Sequence, residues 1–97
     1  LDACLASLRA GPDAEVVVVD DATPDAAALA AVAAAHGARL VRHPANAGPA
    51  AARNTGVAAT SAPVVAFLDS DCTAPPGWLD AVRELTRDHG VVLILER

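Results

Sequence analysis

The stretch VVAFLDSDC, Val64–Cys72, decides the fold of this 97-residue chain. Its unbroken apolar run stops at two carboxylates that are separated by a single residue. A short apolar run bounded by chain-breaking residues is typical of a buried parallel strand, and Pro63 and Pro75–Gly77 supply those breaks. The pattern predicts that Asp69 and Asp71 lie at the carboxyl end of a central strand, the edge where open α/β sheets bind ligands.

Asp69 and Asp71 bring two negative charges close together once the strand gives way to a turn. A divalent cation that prefers oxygen ligands, Mg²⁺ or Mn²⁺, relieves their repulsion most simply. The D-x-D pattern is common by itself, so the alternative is a solvated turn in which Asp71 caps the next helix. The position after an apolar strand favours the metal site.

The remaining segments alternate between strand and helix patterns. A valine run at Val16–Val19 predicts a second strong strand, and Thr23 followed by Pro24 predicts a helix start with Thr23 as N-cap. Strands that helices connect must run parallel, so the fold class is α/β with a parallel sheet. Helices are expected at the amino end and near 24–36, 49–59 and 78–88, and further strands at 38–41 and 91–95.

Other polar residues belong to the same predicted edge. Asp20 and Asp21 end the valine strand, where carboxylates can accept hydrogen bonds from a ribose or a base N–H. The alternative is a capping turn before Pro24. Arg53 lies on an alanine-rich helix and could approach a planar base or a phosphate, or form a surface salt bridge. His43 is interpreted as a loop residue, and no serine or cysteine has an identifiable base for a catalytic triad.

Composition limits the classes of partner. The net charge of -5 argues against binding to a nucleic-acid backbone. Aromatic residues make up only 2% of a chain that is 54% hydrophobic, so small side chains must form the core. Cys4 and Cys72 show no metal-ligand spacing and are too few for a disulfide scaffold, which favours a reducing, cytoplasmic setting.

Four segments, taken in order, resemble the family-2 inverting glycosyltransferases, which have the GT-A fold, a Rossmann-like sheet. They match the family patterns V-D-D-[GA]-S/T-x-D, N-x-G-x-x-x-A-R-N-x-G, D-x-D and P-x-W-L. The segments are VVVVDDATPD at 16–25, NAGPAAARNTG at 46–56, VAFLDSD at 65–71 and PGWL at 76–79. Four matches in sequence are far more specific than any one of them.

The resemblance implies a nucleotide-diphosphate sugar as donor, an acceptor hydroxyl and a divalent metal. It implies that Asp20 hydrogen-bonds the base or ribose, with Asp21 beside it, and that Arg53 contacts the base or the diphosphate side. It further implies that Asp69 contacts the ribose and that Asp71 coordinates the metal bridging the diphosphate.

Parts of that family's fold are expected to lie outside residues 1–97. Its first strand should precede Leu1, and the acceptor half with the general-base aspartate should follow Arg97. The chain is therefore interpreted as a partial GT-A donor-binding domain with an incomplete sheet. The slot left by the first strand should invite self-association through an exposed sheet edge. Membrane association of the full-length protein remains an open alternative.

Two other functions fit parts of the sequence. Asp69–Thr73 reads D-x-D-x-T, the motif of haloacid-dehalogenase-like phosphatases, in which Asp69 would be the nucleophile and Asp71 the acid/base. That motif normally has a glycine before its threonine, and Pro75–Pro76 cuts short the segment after it. The other alternative is a non-catalytic fragment that binds a nucleotide or pairs with another chain.

Overall fold

A computed structural model describes residues 1–8, 15–61, 64–86 and 90–96, in which helices and strands alternate. The predicted α/β class is confirmed. None of the described helices has the length and apolar character that a membrane span requires. The elements are α1 (Asp2–Leu8), β1 (Glu15–Asp20), α2 (Ala26–Ala35), β2 (Arg39–Arg42), α3 (Pro49–Ala58), β3 (Val64–Asp69), α4 (Trp78–Thr86) and β4 (Gly90–Glu96).

The four strands form one sheet in the order β2-β1-β4-β3, and every neighbouring pair is parallel. Val18 lies beside Leu40 on one side and Ile94 on the other, and Ile94 in turn lies beside Leu68. Because all strands run the same way, their carboxyl ends meet at one edge. The predicted parallel arrangement of β1 and β3 is confirmed.

The prediction of an open slot in the sheet is wrong for the described residues. β4 lies between β1 and β3 and pairs with both over their full lengths. An apolar run such as that of β4 suits a strand with neighbours on both sides, and its pairing satisfies backbone groups of β1 and β3. The edges of the sheet are β2 and β3. Self-association through such an edge stays a prediction.

The core has two layers because successive side chains of β1 point to opposite faces of the sheet. Val16 and Val18 pack with residues of α1 and α4, whereas Val17 and Val19 pack with Ala52 of α3. β1 is thus buried on both faces, as its unbroken valine run predicts. On the first face the buried residues are Cys4, Leu5, Leu8, Val16, Val18, Ala74 and Leu79.

The start of α2 differs from the prediction. Its N-cap is Asp25, whose Oδ1 accepts a hydrogen bond from the backbone N–H of Ala28 at 3.3 Å, rather than Thr23. The backbone N–H of Thr23 donates instead to Asp20 Oδ1 at 2.8 Å, which places Thr23 in the turn before the helix. The helix predicted near 24–36 ends at Ala35, and Gly37, with φ of 67°, follows its C-cap His36. The predicted break at Pro63 and the last two residues of the helix predicted near 78–88 lie outside the described residues.

Candidate functional site

The carboxylates singled out from the sequence lie at one edge of the sheet. Asp20 ends β1 beside Glu96 of β4, and Asp69 ends β3 beside Leu95 of the same strand. One strand separates β1 from β3, so their axes are about 10 Å apart. The sheet therefore brings the two predicted groups together along the edge where α/β folds bind ligands.

Asp20 is fully buried and only half satisfied. Its Oδ1 accepts the Thr23 N–H, whereas its Oδ2 has no hydrogen-bond partner among the described residues. Arg42 is the nearest cation, with Nε 3.6 Å from Oδ2, which is too long for a hydrogen bond. A buried acceptor without a hydrogen bond is costly, and native proteins keep few of them. One oxygen of Asp20 thus closes a turn, as the capping alternative expected, and the other, buried beside Arg42, accepts no hydrogen bond from the described residues.

Asp21 is fully engaged by protein donors. Its Oδ1 accepts the Ala47 N–H at 2.8 Å and its Oδ2 accepts the Gly48 N–H at 2.9 Å. The Nδ1 of His43 lies 2.9 Å from the same Oδ1. The Ala47 amide first, and then the His43 hydrogen bond, hold the pKa of Asp21 below its usual value. Since the folded-state pKa is the lower one, this carboxylate stabilises the fold at neutral pH, and that contribution is lost as the pH falls through the folded-state value.

His43 lies in a loop, as its sequence context predicts, but no local pattern indicates its hydrogen-bond partners. Its Nε2 lies 2.7 Å from the hydroxyl oxygen of Thr55 on α3, and its backbone N–H donates to the Asp20 carbonyl. The register of β1 and β2 is the information that would have indicated the contact between Asp21 and His43. Asp20 lies beside Arg42, so the residues that follow them, Asp21 and His43, leave neighbouring strands side by side.

Arg53 lies on the exposed surface of α3, next to Asn54. Within the described part of the chain it takes part in no ion pair, so the surface salt bridge considered as its alternative is not formed there. A guanidinium in this state can bind a planar base or a phosphate without breaking an existing contact. A nucleotide contact by Arg53 stays a prediction.

Asp69, Asp71 and Cys72 form an exposed cluster in which one ligand atom from each residue lies within 4.8 Å of the others. The Cys72 N–H donates to the Asp69 carbonyl at 3.0 Å, which closes the turn after β3. Exposed carboxylates beside solvent fit Mg²⁺ or Mn²⁺, which keep waters and phosphate oxygens as further ligands. The alternative in which Asp71 caps the next helix is wrong, because α4 begins only at Trp78.

The thiol of Cys72 reports on these carboxylates. Its partial removal from water, the hydrogen bond to Asp71 Oδ1 at 3.6 Å and the nearby charges raise the pKa of Cys72. We expect iodoacetamide to alkylate Cys72 at pH 8 more slowly than it alkylates glutathione, because less thiolate is present. Mass spectrometry of the labelled protein measures this rate.

The Asp71→Asn variant is the matched comparison for that labelling, since it removes the hydrogen-bonded charge and should accelerate the reaction. The Cys72→Ser variant gives the background from Cys4, which is only 1% exposed. Equal rates for Cys72 and glutathione at pH 8 would contradict the expectation.

Comparison with known proteins places these features in a family pattern. The sequence matches the family model of glycosyl transferase family 2 over residues 1–96. It is 42% identical over 83 residues to the pre-mycofactocin glycosyltransferase of Mycobacterium tuberculosis, a match covering 84% of this chain. Two succinoglycan biosynthesis proteins of Rhizobium meliloti, ExoU and ExoO, are 44% and 43% identical over 77% and 89% of the chain. No solved structure matches significantly.

The matched region is a small part of each relative. The chain spans 18% of the pre-mycofactocin glycosyltransferase, 23% of ExoU and 25% of ExoO. The part of the chain that matches the family model, residues 1–96, contains both ends of the candidate site, from Asp20 to Asp71.

Proposed function

This chain belongs to glycosyl transferase family 2, and on that premise we propose that it forms part of a donor site for a nucleotide-diphosphate sugar and a divalent cation. The site would serve inverting transfer of the sugar to an acceptor hydroxyl. The observation that carries the proposal is that Asp20, whose Oδ2 accepts no hydrogen bond from the described residues, and the Asp69–Asp71 pair lie at the same edge of the sheet. The same family membership argues against the phosphatase interpretation of Asp69 and Asp71.

The proposed roles divide along this edge. Asp20 accepts a hydrogen bond from the base or ribose through Oδ2, the oxygen that pairs with Arg42 at 3.6 Å but accepts no hydrogen bond from the described residues. Asp69 contacts the ribose. Arg53 contacts the base or the diphosphate side, which its exposed position on α3 allows. Asp21 stands beside Asp20 and contributes through the loop that it holds.

Asp71 would hold the metal, with Mg²⁺ or Mn²⁺ as the candidates. Its carboxylate is exposed and close to that of Asp69, so water and phosphate oxygens can complete the coordination. A cation on the diphosphate stabilises the negative charge that develops on the leaving group. None of the described residues is assigned the role of the general base that would deprotonate the acceptor.

Equilibrium binding to the product of the complete gene tests the proposal. We expect a nucleoside diphosphate to bind about tenfold or more tightly with Mn²⁺ or Mg²⁺ than with a chelator, because Asp71 would hold the cation and the cation would offset the charge of the diphosphate. Isothermal titration calorimetry over a panel of uridine, guanosine and thymidine nucleotides measures this difference.

The matching nucleosides are the control, since they lack the diphosphate and their binding should not respond to metal. Diphosphate affinity that is the same with and without metal would exclude the proposed metal site. Failure of the whole panel to bind would exclude the proposed donor site.

A further inference from the structure

His43 connects three parts of the fold through side-chain and backbone hydrogen bonds. Nδ1 lies 2.9 Å from Asp21 Oδ1, just after β1, and Nε2 lies 2.7 Å from Thr55 Oγ1 on α3. Its own N–H donates to the Asp20 carbonyl at 2.8 Å. The side chain is only 13% exposed, so solvent competes little for these contacts. We call this arrangement the Asp21–His43–Thr55 network.

The chemistry of the partners fixes which ring nitrogen carries a proton. An ionised carboxylate only accepts hydrogen bonds, so Nδ1 must donate to Asp21. The Thr55 hydroxyl can donate to Nε2 or accept from it, so it satisfies either protonation state of the ring. The network is therefore complete on both sides of the imidazole, and the ring has one orientation.

Asp21 passes that orientation on to a loop. His43 donates a hydrogen bond to Oδ1 of Asp21. The same Oδ1 accepts a hydrogen bond from the backbone N–H of Ala47, and Oδ2 accepts one from the backbone N–H of Gly48. Gly48 has φ of 93°, a conformation that other residues rarely adopt, and α3 begins at the next residue. The loop thus depends on Asp21 for its position, and it determines where α3 starts and where α3 presents Arg53.

We propose that His43 is a positioning residue for nucleotide binding, acting through Asp21 on the loop Asn46–Gly48 and on α3. The inference rests on the proposed donor site, because that site gives the loop its function. His43 contacts no reacting group. Its effect is to hold the loop Asn46–Gly48 and α3, which would form one side of the proposed nucleotide site, beside Asp20.

Three variants of His43 separate its contacts. In His43→Asn the side-chain amide N–H can replace Nδ1 and keep the hydrogen bond to Asp21. In His43→Gln the longer side chain can keep the hydrogen bond to Thr55 but not the one to Asp21. His43→Ala loses both hydrogen bonds. We expect the Ala47 and Gly48 amides of the Gln and Ala variants to exchange with solvent about tenfold faster or more, and nucleotide affinity to fall about tenfold. His43→Asn should stay within about threefold of the unsubstituted protein in both measurements. Hydrogen exchange by NMR or mass spectrometry and calorimetry supply the readouts.

Steady-state kinetics add a readout that a general loss of stability would not give. A positioning defect should raise KM for the donor while kcat stays near its original value, because the lost interaction is uniform binding. His36→Ala is the matched control. His36 lies at the end of α2 and pairs with Asp2 of α1, and no hydrogen bond among the described residues joins it to the loop Asn46–Gly48. This variant should leave amide exchange at Ala47 and Gly48, and donor KM, unchanged.

The two measurements distinguish failure of this inference from failure of the proposed function. If the unsubstituted protein binds no nucleotide, the proposed function fails, and amide exchange still tests whether His43 holds the loop. Unchanged exchange at Ala47 and Gly48 in His43→Ala would overturn the inference. So would faster exchange with undiminished nucleotide affinity, or a His43→Asn variant that behaves like His43→Ala.

Discussion

Asp71→Asn is expected to abolish metal-dependent sugar transfer by the product of the complete gene while leaving the fold intact. Asp71 is exposed and its only described side-chain contact is the weak one with the Cys72 thiol, so little stability depends on it. An amide is neutral and is a poorer ligand for a hard cation than a carboxylate. Changes around metal ligands cost about 10–100-fold, so loss of the ligand itself should reduce the rate by more than about a hundredfold. Initial rates over a Mn²⁺ titration measure the effect.

The control for Asp71→Asn is Glu84→Gln, which removes a carboxylate charge from an exposed position on α4. It should leave both the rate and its metal dependence unchanged. Thermal unfolding of Asp71→Asn should match that of the unsubstituted protein. Full activity of Asp71→Asn with metal present, or full activity of the unsubstituted protein in a chelator, would show that the metal assignment is wrong.

Local sequence pattern predicted most of the helices and strands. The valine run of β1 predicts burial on both faces, and Val17, Val18 and Val19 are fully buried. α3 begins at Pro49, and Gly37 follows the end of α2. Both positions agree with backbone preferences that act within one helical turn. Apolar runs that end in aspartates also predicted that Asp20 and Asp69 would share an edge, because parallel strands require it.

Local sequence pattern could not predict the order of the strands in the sheet. The runs of β1, β3 and β4 are similarly apolar, and nothing within β4 says which neighbours it pairs with. It lies between β1 and β3, in the position that was expected to be empty. Which strand fills a slot depends on crossover geometry and on competition between strands, both of which are long-range properties.

The polar network was missed for a related reason. Asp21 bonds Ala47 and Gly48, and His43 bonds Thr55, across separations that no turn or helix period relates. The N-cap of α2 was misassigned because the turn at Thr23 was already closed by Asp20. In the network each side chain took its partner from another element, so local preference did not decide the outcome. At the start of α2 the competition was between two local contacts, and the Asp20–Thr23 contact left the N-cap position to Asp25.

Asp20 should determine nucleotide affinity rather than metal dependence. Its Oδ2 is buried without a hydrogen bond, so a base or ribose donor placed there gains a charge-assisted contact. Losing such a bond costs roughly 1.5–3 kcal/mol, or about ten- to more than a hundredfold in affinity. We expect Asp20→Ala to weaken nucleotide binding by this factor, measured by calorimetry at saturating metal. Excess nucleotide sugar should restore its activity, whereas excess metal should not.

Asp20→Asn distinguishes the ligand contact from the structural one. Asp20→Ala also removes the acceptor of the Thr23 N–H and leaves Arg42 without its nearest carboxylate, so part of its effect could reflect a disturbed turn. The asparagine variant keeps an acceptor oxygen for Thr23 and loses only the charge and the second acceptor. If Asp20→Asn folds normally and binds nucleotide as tightly as the unsubstituted protein, Oδ2 has no ligand role, and Asp20 serves only to close the turn between β1 and α2. If Asp20→Asn binds as weakly as Asp20→Ala, the oxygen that the fold leaves unsatisfied is the one that the nucleotide uses.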